Sequence, residues 1–160
     1  MMSSSRQVPG APSPAAPLPP IRALVFDLDG TLVDSAPDIH AATAAFLAER
    51  GHEPLDLATI TSFIGNGVPA LVERVLRAVG EAADPQSVQA VLPRFNAIYG
   101  ADPSSLSRLY PGVAEALAEL RRAGLRLGLC TNKPEAAARQ MLADFGIAAC
   151  FAAVVGGDSL

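Results

Sequence analysis

Two aspartates, Asp27 and Asp29, stand two residues apart in the segment FDLDGTLVDS, which covers residues 26–35. Two carboxylates this close repel each other unless a cation or a shared proton relieves their charge. A bound Mg²⁺ would relieve it, because this ion prefers oxygen ligands and keeps several of its waters. One aspartate could then attack phosphorus as a nucleophile, while the other protonates a leaving oxygen and later activates water. The spacing therefore points to phosphoryl chemistry with Mg²⁺ as the cofactor.

A glycine and a threonine, Gly30 and Thr31, follow the two aspartates, and a second polar cluster begins at Thr131. An aspartate between a strand and a glycine is often only a turn residue, and for Asp27 alone we would favour that interpretation. The combination is more specific, because Thr131 also follows an apolar run and can donate its hydroxyl hydrogen to a phosphoryl oxygen. Backbone amides of residues 28–31 could donate further hydrogen bonds to the same group.

The elements that must position these residues are typical of a parallel sheet. Residues 21–26 form an apolar run rich in branched side chains, which predicts a strand covered on both faces. Two more strands are predicted at residues 125–130 and 151–155, and they alternate with helices at residues 111–123 and 135–145. This alternation predicts a doubly wound, Rossmann-like α/β fold. In such sheets the site lies beyond the carboxyl ends of the strands, where both polar clusters fall.

Residues 35–107 interrupt this pattern and predict an all-helical insert after the first strand. Helices are expected at residues 35–50, 69–79 and 84–99, the last kinked or interrupted by Pro93. Ser35 and Asp38 are expected to form a capping box at the start of the first helix. A loop at Gly65-Asn66-Gly67 requires positive φ angles.

Composition restricts the partners and the compartment. The net charge is −4 and no basic run is present, which argues against nucleic acid. No stretch of sequence is long and apolar enough to predict a membrane span. The two cysteines fit no metal-binding spacing and no secretory signal is evident, so we expect a reducing, cytoplasmic location. Residues 1–20 contain six of the 14 prolines and predict a disordered leader or upstream sequence.

Two segments resemble the motifs of a known family. Residues 26–35 resemble motif I of the haloacid dehalogenase-like hydrolase superfamily, and LCTNKP at residues 129–134 resembles motif II. The similarity extends over residues 21–160, and the insert is similar to the helical cap of phosphatases in that superfamily. Further segments resemble the phosphoglycolate phosphatase branch, at residues 64–67, 71–74, 110–112 and 155–158. The implied organisation is an α/β core of residues 21–34 and 108–160 with a cap of residues 35–107.

The resemblance implies a role for each polar residue. Asp27 would be the nucleophile and Asp29 the general acid and base, with Mg²⁺ on the Asp27 carboxylate and the Asp29 backbone carbonyl. Thr131 and Asn132 would bind the phosphate, together with the turn at Gly30 and Thr31. Since dehalogenases of the superfamily lack the second carboxylate, Asp29 favours hydrolysis of a phosphate ester.

The residues of the insert and the next lysine leave several interpretations open. Lys133 could lie beside the phosphate or could be a solvated lysine at a helix start. The loop of Gly65, Asn66 and Gly67 could set specificity, and Arg74 could reach a substrate carboxylate or lie on a helix surface. The implied substrate is a small phosphorylated metabolite, 2-phosphoglycolate first. A sugar-phosphate phosphatase or mutase and a non-catalytic truncated remnant are the alternatives.

Members of the family carry two further parts, a lysine after the third strand and a GDxxxD-like acidic motif after a fourth. The sequence shows neither before Leu160, and Asp158 comes too early to be the acidic motif. We therefore expect a core incomplete at its C-terminus, lacking a further acidic metal ligand. The strand at residues 23–26 would be an unpaired apolar edge, which favours aggregation. On this basis we expect the chain to be inactive, poorly soluble or both.

Overall fold

A computed structural model describes residues 20–159, so the leader expected at residues 1–20 lies outside it except for Pro20. Five strands are present: β1 Ala23–Phe26, β2 Val33–Asp34, β3 Arg108–Leu109, β4 Arg126–Cys130 and β5 Ala153–Val155. Six α-helices accompany them: α1 Ala36–Glu49, α2 Leu57–Phe63, α3 Gly67–Ala78, α4 Pro85–Ala101, α5 Val113–Arg122 and α6 Glu135–Asp144. A single 3₁₀ turn covers Ala148–Cys150.

The main sheet is parallel and has the order β1-β4-β5. Phe26 pairs with Leu129, and Cys130 pairs with Val155, so all three strands end at the same edge. Leu117 of α5 and Met141 of α6 are almost fully buried against the apolar residues of this sheet. These features confirm the predicted α/β class, in which helices cover a parallel sheet.

The prediction that the first strand is covered on both faces is wrong. Val25 in β1 is 70% exposed, and Ala23 is exposed as well. Exposed Ala23 and Val25 alternate with half-buried Leu24 and Phe26, so one face of β1 is left uncovered within residues 20–159. In addition, β1 pairs only with β4 in this part of the chain. The exposed apolar edge that we expected at this strand is therefore present.

Helices α1 to α4 enclose an apolar cluster that Ala137 of α6 joins, and this cluster is distinct from the one around the sheet. Phe46 and Phe95 lie at its centre, each 1% exposed, with their rings packed edge to face at 5.5 Å. We use the name cap for residues 35–107 and α/β unit for residues 21–34 and 108–159, and the boundary between them remains a proposal.

Two features of the cap differ from the sequence-based expectation. Helix α4 continues through Pro93 without interruption. Helix α2 was not predicted, because β-branched residues such as Thr59 and Thr61 have low helix propensity. Asp56 caps it by accepting a hydrogen bond from the Thr59 amide, and Ile60 is completely buried. Burial in the cap cluster therefore outweighs the local preference.

The two connections between cap and α/β unit run side by side as an antiparallel pair of β2 and β3. The expected capping box is wrong, because the Ser35 side chain makes no capping bond to α1. Asp38 instead accepts hydrogen bonds from the backbone amides of Leu106, at 3.0 Å, and Ser107, at 2.7 Å, and from the Ser107 hydroxyl. Asp38 thus ties the first cap helix to the returning connection. Among the described residues, no helix has the length and apolarity that crossing a membrane requires.

Candidate active site

A cleft of about 490 Å³ lies where the carboxyl edge of the sheet faces the cap. Both polar clusters predicted from the sequence contribute to its wall, since Asp27, Asp29 and Thr131 all line it. The opposite wall is largely apolar and comes from the cap, with Ile39, Ile64, Val68, Leu71, Phe95 and Tyr99. The topology therefore brings together residues that are about 100 positions apart in the sequence.

Asp27 directly follows β1 and is exposed to the cleft side of the sheet. The backbone amide of Leu28 donates to its Oδ1 at 2.7 Å. This hydrogen bond orients the carboxylate. Asp27 is thus an accessible, oriented carboxylate.

Asp29 is held more tightly than Asp27. Its Oδ1 accepts hydrogen bonds from the Ser35 hydroxyl at 2.5 Å and from the Lys133 ammonium at 2.7 Å. Sequence reasoning missed the role of Ser35, because a serine before a helix is usually its cap. Both donors engage the same oxygen, so the position of the Asp29 side chain is set from two directions.

Lys133 is the only lysine in the sequence, and its side chain is 2% exposed. The alternative of a solvated lysine at a helix start is therefore wrong. Its Nζ forms the ion pair with Asp29 and also lies 4.9 Å from the centre of the Tyr99 ring. A buried charge requires such partners, because leaving water is costly for an unpaired ion.

Thr131 follows β4 and is 7% exposed. Its Oγ1 accepts a hydrogen bond from the backbone amide of Lys133 at 3.3 Å. As an acceptor in that contact, its hydroxyl keeps a hydrogen to donate elsewhere. Asn132 lines the cleft too, but its side-chain amide donates to the carbonyl of Gly65 at 2.8 Å. Asn132 therefore joins the α/β unit to the cap loop.

The turn at residues 131–135 packs closely on the turn after β5. A Cβ atom at Gly156 would lie 2.5 Å from Glu135 Cα, and one at Gly157 would lie 2.5 Å from Asn132 O. Asp158 accepts a hydrogen bond from the Glu135 amide at 2.7 Å. Asp158 thus serves the start of α6, in agreement with its exclusion as the missing acidic motif.

The predicted cap loop contributes to the cleft only in part. Gly65 and Gly67 line it, with φ angles of 119° and 81°, as the sequence predicted for this loop. Asn66 is exposed and outside the lining. Arg74 also lies outside it, because its guanidinium donates to the carbonyl of Phe63 at 2.6 Å and so secures the end of α2.

Gly30 and Thr31 form the turn after the aspartates and do not line the cleft. Gly30 has a φ of 75°, which glycine adopts without strain. The amide of Gly30 donates to the Val33 carbonyl and that of Thr31 to the Leu28 carbonyl. These amides are thus engaged within the turn, and their role at a phosphate stays a prediction.

Tyr99 is a cleft residue that sequence reasoning missed. It is 4% exposed, and its hydroxyl has no hydrogen-bond partner among the described residues. Burial raises the pKa of Tyr99, and the nearby charges of Asp29 and Asp38 raise it further, so the hydroxyl stays protonated. The available signal was a tyrosine one helical turn after Phe95 on the apolar face of α4.

The residues of the cleft could hold Mg²⁺ only if a substrate supplied further oxygen ligands. Within residues 20–159, no three side chains of His, Cys, Asp or Glu converge as metal ligands. The oriented Asp27 carboxylate offers hard oxygen atoms, whereas the Asp29 side chain is occupied by Ser35 and Lys133. Mg²⁺ commonly uses one or two protein ligands, with substrate phosphate and water completing its shell. The residues present fit that mode of binding.

Comparisons with known proteins agree with the motifs. A family model described as haloacid dehalogenase-like hydrolase matches residues 21–160. A phosphoglycolate phosphatase of Cereibacter sphaeroides is 57% identical over 137 residues, which cover 86% of this chain and 63% of that protein. One of Rhodospirillum rubrum is 44% identical over 143 residues, covering 87% of this chain and 59% of that protein.

Among solved structures, a predicted phosphoglycolate phosphatase from Haemophilus somnus superposes with a TM-score of 0.79 at 31% identity. The superposition covers 88% of this chain and 64% of that one. The chain thus spans less than two thirds of the length of these relatives. The resemblance seen in the motifs is confirmed.

Proposed function

Because this chain belongs to the haloacid dehalogenase-like hydrolase family, we propose that it hydrolyses a small phosphate monoester, with 2-phosphoglycolate as the preferred substrate. The observation that carries the proposal is the meeting of Asp27, Asp29, Thr131 and Lys133 in one cleft at the carboxyl ends of the strands. The relatives named phosphoglycolate phosphatase support the choice of substrate.

In the first step, an Asp27 carboxylate oxygen attacks phosphorus and the bond from phosphorus to the ester oxygen breaks. The departing oxygen takes a proton carried on Oδ2 of Asp29, the oxygen that Ser35 and Lys133 do not engage, so an alcohol leaves and a phospho-aspartate remains on Asp27. The hydrogen bond from the Leu28 amide fits this role, because it presents the carboxylate in one orientation.

In the second step, water attacks the phosphorus of the phospho-aspartate and gives its proton to Asp29. The bond between phosphorus and the Asp27 carboxylate oxygen breaks, and phosphate leaves with Asp27 restored as a carboxylate. Thr131 donates its hydroxyl hydrogen and Lys133 offers positive charge to the phosphoryl oxygens, which stabilises the charge that develops there. Phosphate monoesters hydrolyse extremely slowly without such stabilisation.

Mg²⁺ would be held by the Asp27 carboxylate and the Asp29 main-chain carbonyl, and it would neutralise charge on the nucleophile and the phosphate. The apolar cap wall at Ile39, Leu71 and Phe95 would exclude bulk water from the phospho-aspartate. We place the reaction in the cytoplasm, since both cysteines are free thiols, as expected in a reducing compartment.

The test is phosphate release by the purified 160-residue chain from 2-phosphoglycolate and from a panel of sugar phosphates, with Mg²⁺ and after chelation. We expect Asp27→Asn to lower turnover by about 10⁴-fold or more, because it removes the nucleophile. Asp34→Asn is the matched control, since Asp34 is a nearby exposed aspartate outside the cleft.

The possible outcomes test the substrate, the activity of the chain and the nucleophile separately. Preferred hydrolysis of a sugar phosphate would replace 2-phosphoglycolate as the substrate. A folded chain without Mg²⁺-dependent turnover would refute the proposal for this chain and support the expectation that it is inactive. Turnover that survives in Asp27→Asn would refute the assigned nucleophile.

A further inference from the structure

The Lys133 ammonium lies at the junction of cap and α/β unit. On one side it contacts Asp29 of the α/β unit at 2.7 Å, and on the other it faces the ring of Tyr99, which belongs to cap helix α4. With 2% of its side chain exposed, Lys133 is closed off from water by this arrangement. Its position therefore depends on both parts of the molecule.

The face of an aromatic ring attracts a cation, and the attraction grows when water is excluded. Tyr99 itself is fixed, because its ring stacks on Phe95 at 6.4 Å within the cap cluster. The ring is thus a rigid surface against which the flexible four-carbon stem of a lysine can be held. Without such a surface, a salt bridge made by a lysine loses side-chain entropy and gains little free energy in return.

The hydroxyl group of Tyr99 does not explain why tyrosine stands here. It is buried and has no hydrogen-bond partner within residues 20–159, so it contributes nothing that would offset its loss of hydration. The ring face, in contrast, has a specific contact with Lys133. Tyr99→Phe should therefore keep the contact that matters, whereas Tyr99→Leu keeps a large apolar side chain but loses the aromatic face and some volume.

We propose that Tyr99 is a positioning residue whose ring face holds the Lys133 ammonium against Asp29, so that this ion pair is complete only when the cap covers the cleft. The inference deepens the proposed function and rests on it for the role of Lys133 beside a phosphate. A second contact joins the same two parts, from the Asn132 side-chain amide to the Gly65 carbonyl. Cap closure and placement of the cation are thus coupled through residues 132 and 133.

The test uses acylation of the single lysine in the full chain, and it requires no enzyme activity. An N-hydroxysuccinimide ester is added at neutral pH, and mass spectrometry follows modification of Lys133 against the α-amino group as an internal reference. Acylation requires the Lys133 nitrogen to leave Asp29 and the ring and to lose a proton to solvent, since only the neutral amine attacks the ester and displaces N-hydroxysuccinimide. We expect Tyr99→Leu to react about tenfold faster than the wild type, and Tyr99→Phe to react within about twofold of it.

Leu92→Ala is the matched control, because Leu92 is a buried residue of the same helix and cluster, seven positions before Tyr99, and its truncation loses packing while the aromatic ring is retained. We expect its Lys133 to react at the wild-type rate. Equal rates in Tyr99→Leu and the wild type would overturn the proposal. It would also fall if Tyr99→Phe reacted as fast as Tyr99→Leu, or if Leu92→Ala exposed Lys133 to the same extent.

Inorganic phosphate separates this proposal from the proposed function. Protection of Lys133 in the wild type by added phosphate supports the lysine as part of the phosphate site. Lack of protection would count against that site alone, because the contrast between Tyr99→Leu and Tyr99→Phe is measured without phosphate.

Discussion

The cap and the α/β unit bury their apolar residues to different degrees. In the cap, four helices close around one cluster, and Phe46 at its centre is 1% exposed. In the α/β unit, the cluster around Leu28 and Leu129 is equally well buried, but Val25 on β1 remains 70% exposed. A helix satisfies its backbone hydrogen bonds within itself, whereas a strand requires a neighbour on each side. The cap cluster is thus closed, with Ala137 of α6 as its one member from the α/β unit among residues 20–159, and the sheet is open along β1.

This difference also separates the tasks of the two parts. The α/β unit carries the charged and hydroxyl groups of the cleft, and the cap supplies its apolar wall and the ring of Tyr99. The two parts contact each other through the hydrogen bond from the Asn132 side chain to the Gly65 carbonyl and through Ala137 of α6, which belongs to the apolar cluster of the cap. Variants in each part should therefore have distinguishable effects.

The largest effect on stability is expected in the cap cluster. Phe46→Ala should lower the free energy of unfolding by about 3–5 kcal/mol, because it leaves a cavity at a fully buried site. Phe151→Ala is the counterpart in the α/β unit, where a half-buried ring contacts Phe26 edge to face at 6.5 Å. We expect a clearly smaller loss there, measured by urea denaturation. Equal losses would contradict the view that the cap is the more tightly closed part.

The next largest effect is expected where Asp38 of the first cap helix contacts residues 106 and 107 at the end of the cap. Asp38→Ala should cost about 2–4 kcal/mol, because the amides of Leu106 and Ser107 lose their acceptor within a buried site. Asp38→Asn retains one acceptor oxygen and should cost less. Hydrogen exchange at residues 106 and 107 gives the local readout. If protection there were unchanged in Asp38→Ala, this contact would not hold the first cap helix to the end of the cap.

Two glycine-to-alanine variants compare the packing of the two parts. Gly156 directly follows β5 in the α/β unit, and Gly100 lies in helix α4 of the cap. Gly156→Ala should cost about 1–3 kcal/mol, since the added Cβ would overlap the backbone of Glu135. Gly100→Ala, within α4, meets no atom within 4 Å and should stabilise the chain by about 0.5–1 kcal/mol. Thermal denaturation of both variants gives the signs. A destabilised Gly100→Ala would show that the cap is less tolerant than its geometry indicates.

The smallest effect on folding is expected at the open edge. Val25→Lys places a charge on an exposed strand and should change the unfolding free energy by less than about 0.5 kcal/mol. It should reduce self-association, because edge lysines block strand pairing between chains. Sedimentation velocity at several concentrations measures this, with Val25→Thr as the uncharged control. Equal association of the two variants would argue against β1 as the contact surface.

Much of the fold could be predicted from the sequence, because its signals are local. The apolar runs before Asp27 and Thr131, and the alternation of strands with helices, predict a parallel sheet with both clusters at one edge. The short helix α2 escaped prediction, since the sequence LATITSF has weak helix propensity and folds through burial of Ile60. Pro93 similarly predicted a kink or interruption of the third cap helix, but α4 continues through it.

The chemical character of the site was also present in the sequence. The spacing of Asp27 and Asp29 and the threonine after a second apolar run point to phosphoryl chemistry without any structure. The assignments that depended on a single residue fared less well. Ser35 and Asp38 matched the pattern of a capping box but have other partners. The position of Lys133 fitted a solvated lysine at a helix start as well as it fitted a residue of the site.

The sequence alone was sufficient to predict the parallel sheet and the helical insert, because both follow from local periodicity. It also predicted carboxylates and threonine at one edge, because parallel strands end there together. The side-chain partners, in contrast, could be identified only in the folded molecule. The tertiary structure directs Ser35 to Asp29, Asp38 to the returning connection, and Lys133 into a buried place between Asp29 and Tyr99. These contacts join residues that are far apart in the chain, and a side chain with several possible partners selects one only when packing fixes which of them is near.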